Sequence, residues 1–164
     1  MKKLCFIVPS LGSGGAERVA LHLLNNLDLK KYELTLIIIY KNKGDYLNSL
    51  RKEVKVKFIN VNKIRFGILS LFKILKKETF DTVVVFSEDV MIFLGILVIP
   101  FIKKTIFINR HLAVFMKEKK NFFRTYFLKM AYKRYSKVIS QSRDMTESLL
   151  KNKLVSKQKL LNAY

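Results

Sequence analysis

The side chains best suited to chemistry lie in a glycine-rich loop near the start of the chain. Gly12, Gly14 and Gly15 stand between the apolar run 5–8 (CFIV) and a helical pattern that includes Glu17. Glycines allow a tight turn and let a ligand approach the backbone closely. A helix that begins behind such a loop directs unpaired N–H groups and its positive dipole end towards an anion. The loop therefore predicts a binding site for a phosphate or carboxylate, with these three glycines and Glu17 as its residues.

Two further candidates follow a later apolar run, 105–108 (TIFI), which continues as Asn109-Arg110-His111. His111 suits proton transfer because the ordinary pKa of histidine lies close to neutrality. Alternatively, it caps the following segment. Arg110 suits a contact with a phosphate, although a solvated loop charge is the commoner reason for an arginine in such a position. We take His111 as the candidate catalytic residue and Arg110 as a candidate phosphate ligand.

Other polar residues receive structural interpretations. Glu88 and Asp89 could orient an acceptor, but adjacent residues in a strand-to-helix turn point in different directions. A helix cap by Ser87 or Asp89 is the simpler interpretation. His22 falls on the polar side of the first helix and is predicted to lie on the surface. The histidines have no cysteine or carboxylate at metal-ligand spacing, so no metal site is predicted.

Strands and helices must alternate to position these residues. Apolar patterns predict strands at 5–8, 34–40, 54–61, 82–86, 105–108 and 137–142, and helices at 16–27, 64–78, 90–102, 121–135 and 143–151. This order is typical of one α/β domain with a doubly wound, mostly parallel, Rossmann-like sheet. We expect at least six strands, with the first two adjacent. Ligands of such sheets bind at the carboxyl ends of the strands, where the candidate residues fall.

The glycine loop does not fit a dinucleotide-binding fingerprint. The third glycine would have to stand at position 17, which is Glu17, and the second strand runs into Lys41-Asn42-Lys43 without an acidic residue for ribose. A nicotinamide or flavin enzyme is therefore not predicted, and no cofactor is expected.

Charge and cysteine usage limit the partners and the compartment. The net charge is +20, and the chain has one cysteine, Cys5, within the first strand. A lone buried cysteine and the lack of a signal peptide favour a cytoplasmic location. The excess charge favours phosphate-rich partners. No nucleic-acid-binding module is recognisable, so nucleic acid is not predicted as a partner.

A basic, aromatic stretch between residues 115 and 137 suggests one such partner. Helices that combine aromatic and cationic residues can lie in an anionic membrane interface. Lys119, Lys120 and Arg124 are the candidate residues for this membrane or acceptor surface. Alternatively, the aromatic side chains pack on the sheet and the lysines face water. The apolar run 90–102 is too short to span a bilayer.

The segment 9–27 (PSLGSGGAERVALHLLNNL) resembles the N-terminal signature of the family-4 retaining glycosyltransferases of the GT-B fold. These enzymes build bacterial polysaccharides and lipid-linked oligosaccharides. The resemblance implies that residues 1–164 form the Rossmann-like, acceptor-side N-terminal domain of a GT-B architecture. It also implies that the glycine loop lies near the diphosphate of a nucleotide-sugar and that His111 lies close to the donor sugar.

The resemblance further implies a donor-binding C-terminal domain, which commonly carries two glutamates separated by seven residues. The chain has no such pair. We therefore expect the donor-binding domain to be absent from this chain, and the chain alone to be inactive. The expected acceptor is a glycan or a polyprenyl-diphosphate-linked sugar, reached from the inner face of the plasma membrane. Two alternatives stay open: half of a two-subunit glycosyltransferase, or a non-enzymatic module that binds a membrane surface or a phosphate ligand.

Overall fold

A computed structural model describes residues 1–12, 14–41, 45–111 and 122–163. Its strands are β1 (Lys2–Val8), β2 (Tyr32–Tyr40), β3 (Lys55–Val61), β4 (Thr82–Val85), β5 (Ile106–Arg110), β6 (Lys137–Ser140) and β7 (Leu160–Asn162). Its α-helices are α1 (Gly15–Asn26), α2 (Ile64–Glu78), α3 (Glu88–Leu97), α4 (Phe122–Arg134) and α5 (Arg143–Lys151). Short 3-10 turns cover Asp45–Ser49, Ile99–Phe101 and Lys157–Lys159.

The seven strands form one parallel sheet in the order β3-β2-β1-β4-β5-β6-β7. β1 lies between β2 and β4, with Phe6 opposite Leu36 on one side and Val84 on the other. The predicted fold class, the parallel sheet and the pairing of the first two strands are confirmed. β3 lies at the edge, as its alternating sequence predicts. The unbroken apolar runs become central strands because a parallel sheet is covered on both faces.

Alternate residues of the strands enter two separate cores. Cys5 and Ile7 join a cluster that includes buried residues of α2, α3, α4 and α5. Phe6 and Val8 face the opposite side of the sheet, where α1 and the segment around the 45–49 turn supply the cover. Right-handed crossovers explain this division, because the chain reverses its direction across the sheet when it passes from β3 to β4.

The face that carries α1 is covered only in part. Ile106 of β5 and Leu161 of β7 point to this side and expose 50% and 42% of their surface. Ile108 and Ile139, between them in the sheet, are half-buried. In residues 1–12, 14–41, 45–111 and 122–163, the helices over β5, β6 and β7 all pack on the other face. An apolar stretch of the parallel sheet therefore faces outward.

Several element boundaries differ from the sequence prediction. The short strand β7 was not predicted, because three residues give no recognisable period. α3 begins two residues earlier than predicted, at Glu88, and ends at Leu97, since Pro100 cannot continue the helix. β5 extends to Arg110, which places that arginine in the sheet instead of a loop. No helix in the described part of the chain is long and apolar enough to cross a membrane.

Candidate functional site

Two adjoining cavities lie at the carboxyl edge of the sheet, above β1, β4, β5 and β6. The first, which we call the Gly15 cavity, has a volume of about 550 Å³ and is lined by Gly15, Glu17 and Gln141 among others. The second, the His111 cavity, measures about 260 Å³. Ser87, Glu88 and Arg110 line both cavities. The predicted residues therefore meet at one edge, but Gly15 and His111 lie in neighbouring cavities instead of a single one.

The glycines of the loop leave space beside the backbone and do not adopt an unusual backbone conformation. None of Gly12, Gly14 and Gly15 has a φ in the left-handed region, so their backbone conformation is one that other residues can adopt. A Cβ atom on Gly15 would have nothing within 4 Å, and the residue borders the Gly15 cavity. A ligand can therefore approach the start of α1 closely. Gly12 donates its N–H to Ser10 Oγ at 3.4 Å and lines neither cavity.

Gly14 has a different role, which it shares with Glu17. It is the N-cap of α1 in an extended conformation, with φ −73° and ψ 154°. A Cβ atom on Gly14 would collide with the Glu17 carboxylate, so the missing side chain gives that carboxylate room to fold back over the start of the helix. A carboxylate is favourable there because it faces the positive end of the helix dipole. Glu17 can accept hydrogen bonds from the hydroxyl groups of a ligand, since an ionised carboxylate only accepts hydrogen bonds.

Arg110 is the charged residue at the centre of the site. It is 8% exposed, and its guanidinium carbon lies 5.6 Å from the centroid of the Phe86 ring. Burial lowers the pKa of the Arg110 guanidinium, which nevertheless stays charged in proteins. None of the ion pairs in the described residues involves Arg110. The interpretation as a solvated loop charge is therefore wrong: Arg110 is a buried cation that borders both cavities.

Gln141, which the sequence placed at a strand end without a role of its own, holds Arg110 in place. Its side-chain oxygen accepts a hydrogen bond from the Arg110 guanidinium, and its nitrogen donates to the carbonyl oxygen of His111 at 2.6 Å. Gln141 follows β6, whose neighbour in the sheet is β5. Its position behind a strand was the available signal, but a glutamine there has no distinctive spacing.

His111 is buried, with an exposed fraction of 5%. Its Nδ1 atom lies 2.9 Å from the hydroxyl oxygen of Tyr132 on α4. Burial raises the pKa of the Tyr132 phenol, and the negative charge of Glu88 raises it further, so the phenol is neutral. A neutral phenol can donate to an unprotonated Nδ1 or accept from a protonated one. His111 can therefore meet a ligand only inside its cavity, with its ring orientation fixed by Tyr132.

Asn109 adds a polar group that the sequence analysis placed at a strand end without assigning a role. It is 2% exposed and lines the His111 cavity. Its Nδ2 atom donates to the carbonyl oxygen of Val85 at 3.4 Å. Its Oδ1 atom is buried and has no hydrogen-bond partner within residues 1–12, 14–41, 45–111 and 122–163. Such an acceptor is costly unless a donor reaches it, so it suits a ligand hydroxyl group.

Glu88 connects the site to α4. Its carboxylate forms an ion pair with Arg124, which also lines the His111 cavity. The predicted helix cap by the Ser87 side chain is wrong: Ser87 is the N-cap of α3, but its hydroxyl accepts no capping hydrogen bond. Arg124 thus faces the cavity, while Lys119 and Lys120, named with it for a membrane or acceptor surface, lie outside the described residues. That surface stays a prediction.

Asp89 also lines the His111 cavity, whereas His22 and Cys5 do not extend the site. His22 is exposed on α1, and its Nδ1 atom lies 3.4 Å from Asn26 Nδ2. Burial raises the pKa of the Cys5 thiol far above its usual value, so this cysteine is not a nucleophile. In the part of the chain that the structure describes, no three histidine, cysteine, aspartate or glutamate side chains group together as metal ligands would.

Solved structures share this arrangement of strands. Anabaena HepE in complex with UDP and glucose is 12% identical, with a TM-score of 0.75 over 100% of this chain and 44% of that chain. A glycosyltransferase from Rickettsia africae ESF-5 is 24% identical, with a TM-score of 0.70 over 98% of this chain and 42% of that chain. The chain has the fold of the N-terminal half of a GT-B glycosyltransferase. It spans less than half of the length of these neighbours.

The same GT-B half also occurs outside sugar transfer. UDP-GlcNAc 2-epimerase from Methanocaldococcus jannaschii is 12% identical, with a TM-score of 0.66 over 99% of this chain and 45% of that chain. No protein-family model and no curated protein sequence matches the chain. The comparisons therefore establish the fold, and the chemistry must be argued from the site.

Proposed function

We propose that this chain is the acceptor-side half of a glycosyltransferase that moves a sugar from a nucleotide-sugar to a glycan or a lipid-linked acceptor. The observation that carries the proposal is Arg110, a buried cation without a carboxylate partner among the described residues, on the wall between two cavities. A buried charge is costly unless it is paired, so a ligand anion is the natural partner of Arg110.

The two cavities suggest a division of roles. The Gly15 cavity combines the start of α1, the open side of Gly15 and the Arg110 guanidinium, which together suit the diphosphate of a donor. The His111 cavity offers His111, the Asn109 Oδ1 atom and the Glu88 carboxylate, which suit sugar hydroxyl groups. A reacting centre between them would lie close to Arg110, where developing negative charge on the diphosphate would be stabilised.

The chain holds only part of what transfer requires. Transfer also requires that the base and ribose of the donor are held, a task that the resemblance assigns to a donor-binding domain or subunit. We therefore infer that the isolated chain binds anionic ligands but does not transfer sugar. The anionic inner face of the plasma membrane is the expected place of action, because the net charge of +20 favours it and a polyprenyl-diphosphate acceptor would lie there.

Two experiments test this proposal. In the first, the chain alone is titrated with inorganic pyrophosphate and followed by NMR, with the Gly15 amide and the Arg110 Nε–H as reporters. We expect both signals to shift, while the exposed Arg134 on α4 does not respond. Unchanged signals of both reporters would show that pyrophosphate does not bind at the anion site on which the proposal rests.

In the second, nucleotide-sugars and a lipid-linked acceptor are supplied to the chain alone, and to the chain joined to or mixed with a donor-binding GT-B half. We expect transfer only from the combination. Transfer by the isolated chain would refute the half-enzyme proposal. Pyrophosphate binding with no transfer in any combination would favour a phosphate-binding module. Conversion of UDP-GlcNAc to its 2-epimer would assign the fold to the epimerase reaction instead.

A further inference from the structure

A third cavity lies at the amino edge of the sheet, opposite to the edge that carries the candidate site. It has a volume of about 360 Å³, and we call it the Lys153 cavity after one of its lining residues. The end of α4, the end of α5 and the segment before β7 form its walls, so it adjoins the starts of β6 and β7. Its size lies in the range of about 300–1,000 Å³ that is usual for small-molecule sites.

The lining of the Lys153 cavity combines apolar side chains with cations. Leu154 and Val155 are buried and Leu150 is half-buried. Three lysines line the same cavity, and its described lining contains no aspartate or glutamate: Lys133, Lys153 and Lys159. None of the ion pairs among the described residues involves these lysines. A ligand that complements this lining has an apolar body and a negative charge.

Lys159 fixes one positive charge in the wall of the cavity. Its Nζ atom donates hydrogen bonds to the carbonyl oxygens of Lys133 at 2.7 Å and of Tyr135 at 2.9 Å. These carbonyls lie at the end of α4, where the helix dipole is negative and would otherwise repel an anion. Burial lowers the pKa of the Lys159 ammonium group, and an anion in the cavity would favour its charged form.

Lys153 stands where a glycine is usual. α5 ends in a Schellman motif, in which the Lys153 N–H donates to the carbonyl oxygen of Leu150 at 2.9 Å. The Leu154 N–H donates to the carbonyl oxygen of Leu149 at 3.0 Å. This motif needs a left-handed residue at Lys153, whose φ is 52°. A side chain is disfavoured in that region because its Cβ atom approaches the following carbonyl oxygen. The lysine is therefore strained, and such strain is typical of functional positions.

We propose that the Lys153 cavity binds a small amphiphile, with an apolar body and one phosphate or carboxylate headgroup. The leucine and valine side chains bury the body, and the Lys153 ammonium group binds the headgroup beside Lys159. Asn60 and Thr79, the other non-glycine residues of the described chain in the left-handed region, line none of the three cavities. Lys153 thus combines an unfavourable backbone conformation with a position in a cavity wall. A fully polar anion fits poorly, because it leaves the apolar lining unfilled.

The amphiphile site is separate from the site proposed for sugar transfer, although the two share one residue. Tyr132 lines both the Lys153 cavity and the His111 cavity. Neither Arg110 nor Gly15, on which the proposed anion site depends, lines the Lys153 cavity. The proposal therefore stands independently of the proposed function, and its assays need no sugar donor.

An NMR titration of the chain with octyl phosphate and with octanoate, both below their micelle-forming concentrations, tests the site. We expect saturable shifts of the Lys153 and Leu154 amide signals with at least one of them, and the tighter ligand identifies the headgroup. Octanol, which has no charge, should bind at least about tenfold more weakly. Butyl phosphate should also bind much more weakly than octyl phosphate, because each buried methylene contributes roughly a fourfold gain in affinity. Inorganic phosphate should leave both amide signals unchanged.

Three variants separate the charge of Lys153 from its backbone role. Lys153→Gly should weaken binding of the amphiphile about tenfold or more, while the Tm stays unchanged or rises, because glycine is the usual residue in this motif. Lys153→Arg keeps the charge and should retain binding. Lys151→Gln is the matched control, since it removes an exposed lysine of the same helix that does not line the cavity, and its affinity should equal that of the wild type.

Several results would overturn the proposal. These are the absence of a saturable shift with both amphiphiles, equal affinity for octanol, and unchanged affinity of Lys153→Gly. Equal weakening by Lys153→Gly and Lys151→Gln would show attraction to the net charge and reject the site. A clear fall in the Tm of Lys153→Gly would make the lysine side chain a structural element instead. Arg110→Met should leave the affinity for the amphiphile unchanged, so the failure of either site is measured without the other.

Discussion

Replacing Arg110 by methionine separates a functional charge from a structural one. Methionine keeps an apolar stem of similar length against Phe86 but removes the guanidinium and its hydrogen bond to Gln141. If Arg110 binds a diphosphate, the variant loses a charge-assisted contact worth about 1.5–3 kcal/mol, which raises Kd roughly 10- to 150-fold. The Coulomb energy at 4 Å and an effective dielectric constant of 20 sets an upper limit of about 4 kcal/mol.

The stability of the same variant should change little. The lost hydrogen bond to Gln141 costs about 0.5–1.5 kcal/mol, and the removal of a charge that is 8% exposed offsets this cost. We expect the free energy of unfolding to change by no more than about 1 kcal/mol, which is roughly 2–4 °C in Tm for a chain of this size. Weaker ligand binding at nearly constant stability is the signature of a site residue.

Calorimetric titration with pyrophosphate and with UDP measures the affinity, and thermal unfolding without ligand measures the stability. Arg134→Met removes an exposed arginine and serves as the matched control, with affinity for both probes unchanged. Arg110→Lys keeps the charge but not the planar fork, so it should bind with intermediate affinity. The reasoning is refuted if Arg110→Met binds as the wild type does, or if its Tm falls by tens of degrees, which would make Arg110 a structural residue.

Three further substitutions, one of them with a control variant, test other parts of the structure. Gly15→Val should lower the affinity for pyrophosphate on the order of tenfold, because the valine side chain would fill the open side of the Gly15 cavity. The Tm should stay close to that of the wild type, and an unchanged affinity would contradict the close approach of the ligand to Gly15. In a transfer assay of the assembled enzyme, His111→Ala should lower kcat on the order of a hundredfold, whereas His22→Ala should leave turnover unchanged. Equal effects of the two substitutions would reject His111 as the catalytic residue. Gly95→Ala should lower the free energy of unfolding in urea by about 1–3 kcal/mol, since a Cβ at Gly95 of α3 would lie 2.7 Å from Ala131 Cα of α4. An unchanged urea midpoint would contradict this close packing of the two helices.

The sequence predicted the sheet well because its signals are local. The unbroken apolar runs of β1 and β2, and the alternation in β3, depend on which faces each strand buries, and this is visible in a few consecutive residues. The stripe of apolar residues in α2 likewise predicted Ile64–Glu78, which are the bounds observed. The last strand, β7, was missed because Leu160–Asn162 is too short to show a period.

The site was predicted less completely because its features join distant parts of the chain. The sequence favoured a solvated Arg110, but Phe86, which follows β4, and Gln141, which follows β6, contact its guanidinium. Glu88 and Arg124, which form an ion pair, lie 36 positions apart in the sequence. Arg124, which the sequence suggested for a membrane surface, therefore lines the His111 cavity. Local spacing cannot reveal such pairs, and neither can it reveal that Gly14 leaves room for a carboxylate from the next turn.

The outward-facing apolar stretch of β5, β6 and β7 has a consequence for the colloidal behaviour of the chain. Ile106 and Leu161 expose about half of their surface there, so two molecules can bury apolar area by meeting at this face. The repulsion between molecules of net charge +20 opposes that encounter, but salt screens it over a distance of about 8 Å at physiological ionic strength. We therefore expect the isolated chain to stay dispersed in dilute buffer and to aggregate as sodium chloride is added, the reverse of ordinary salting-in.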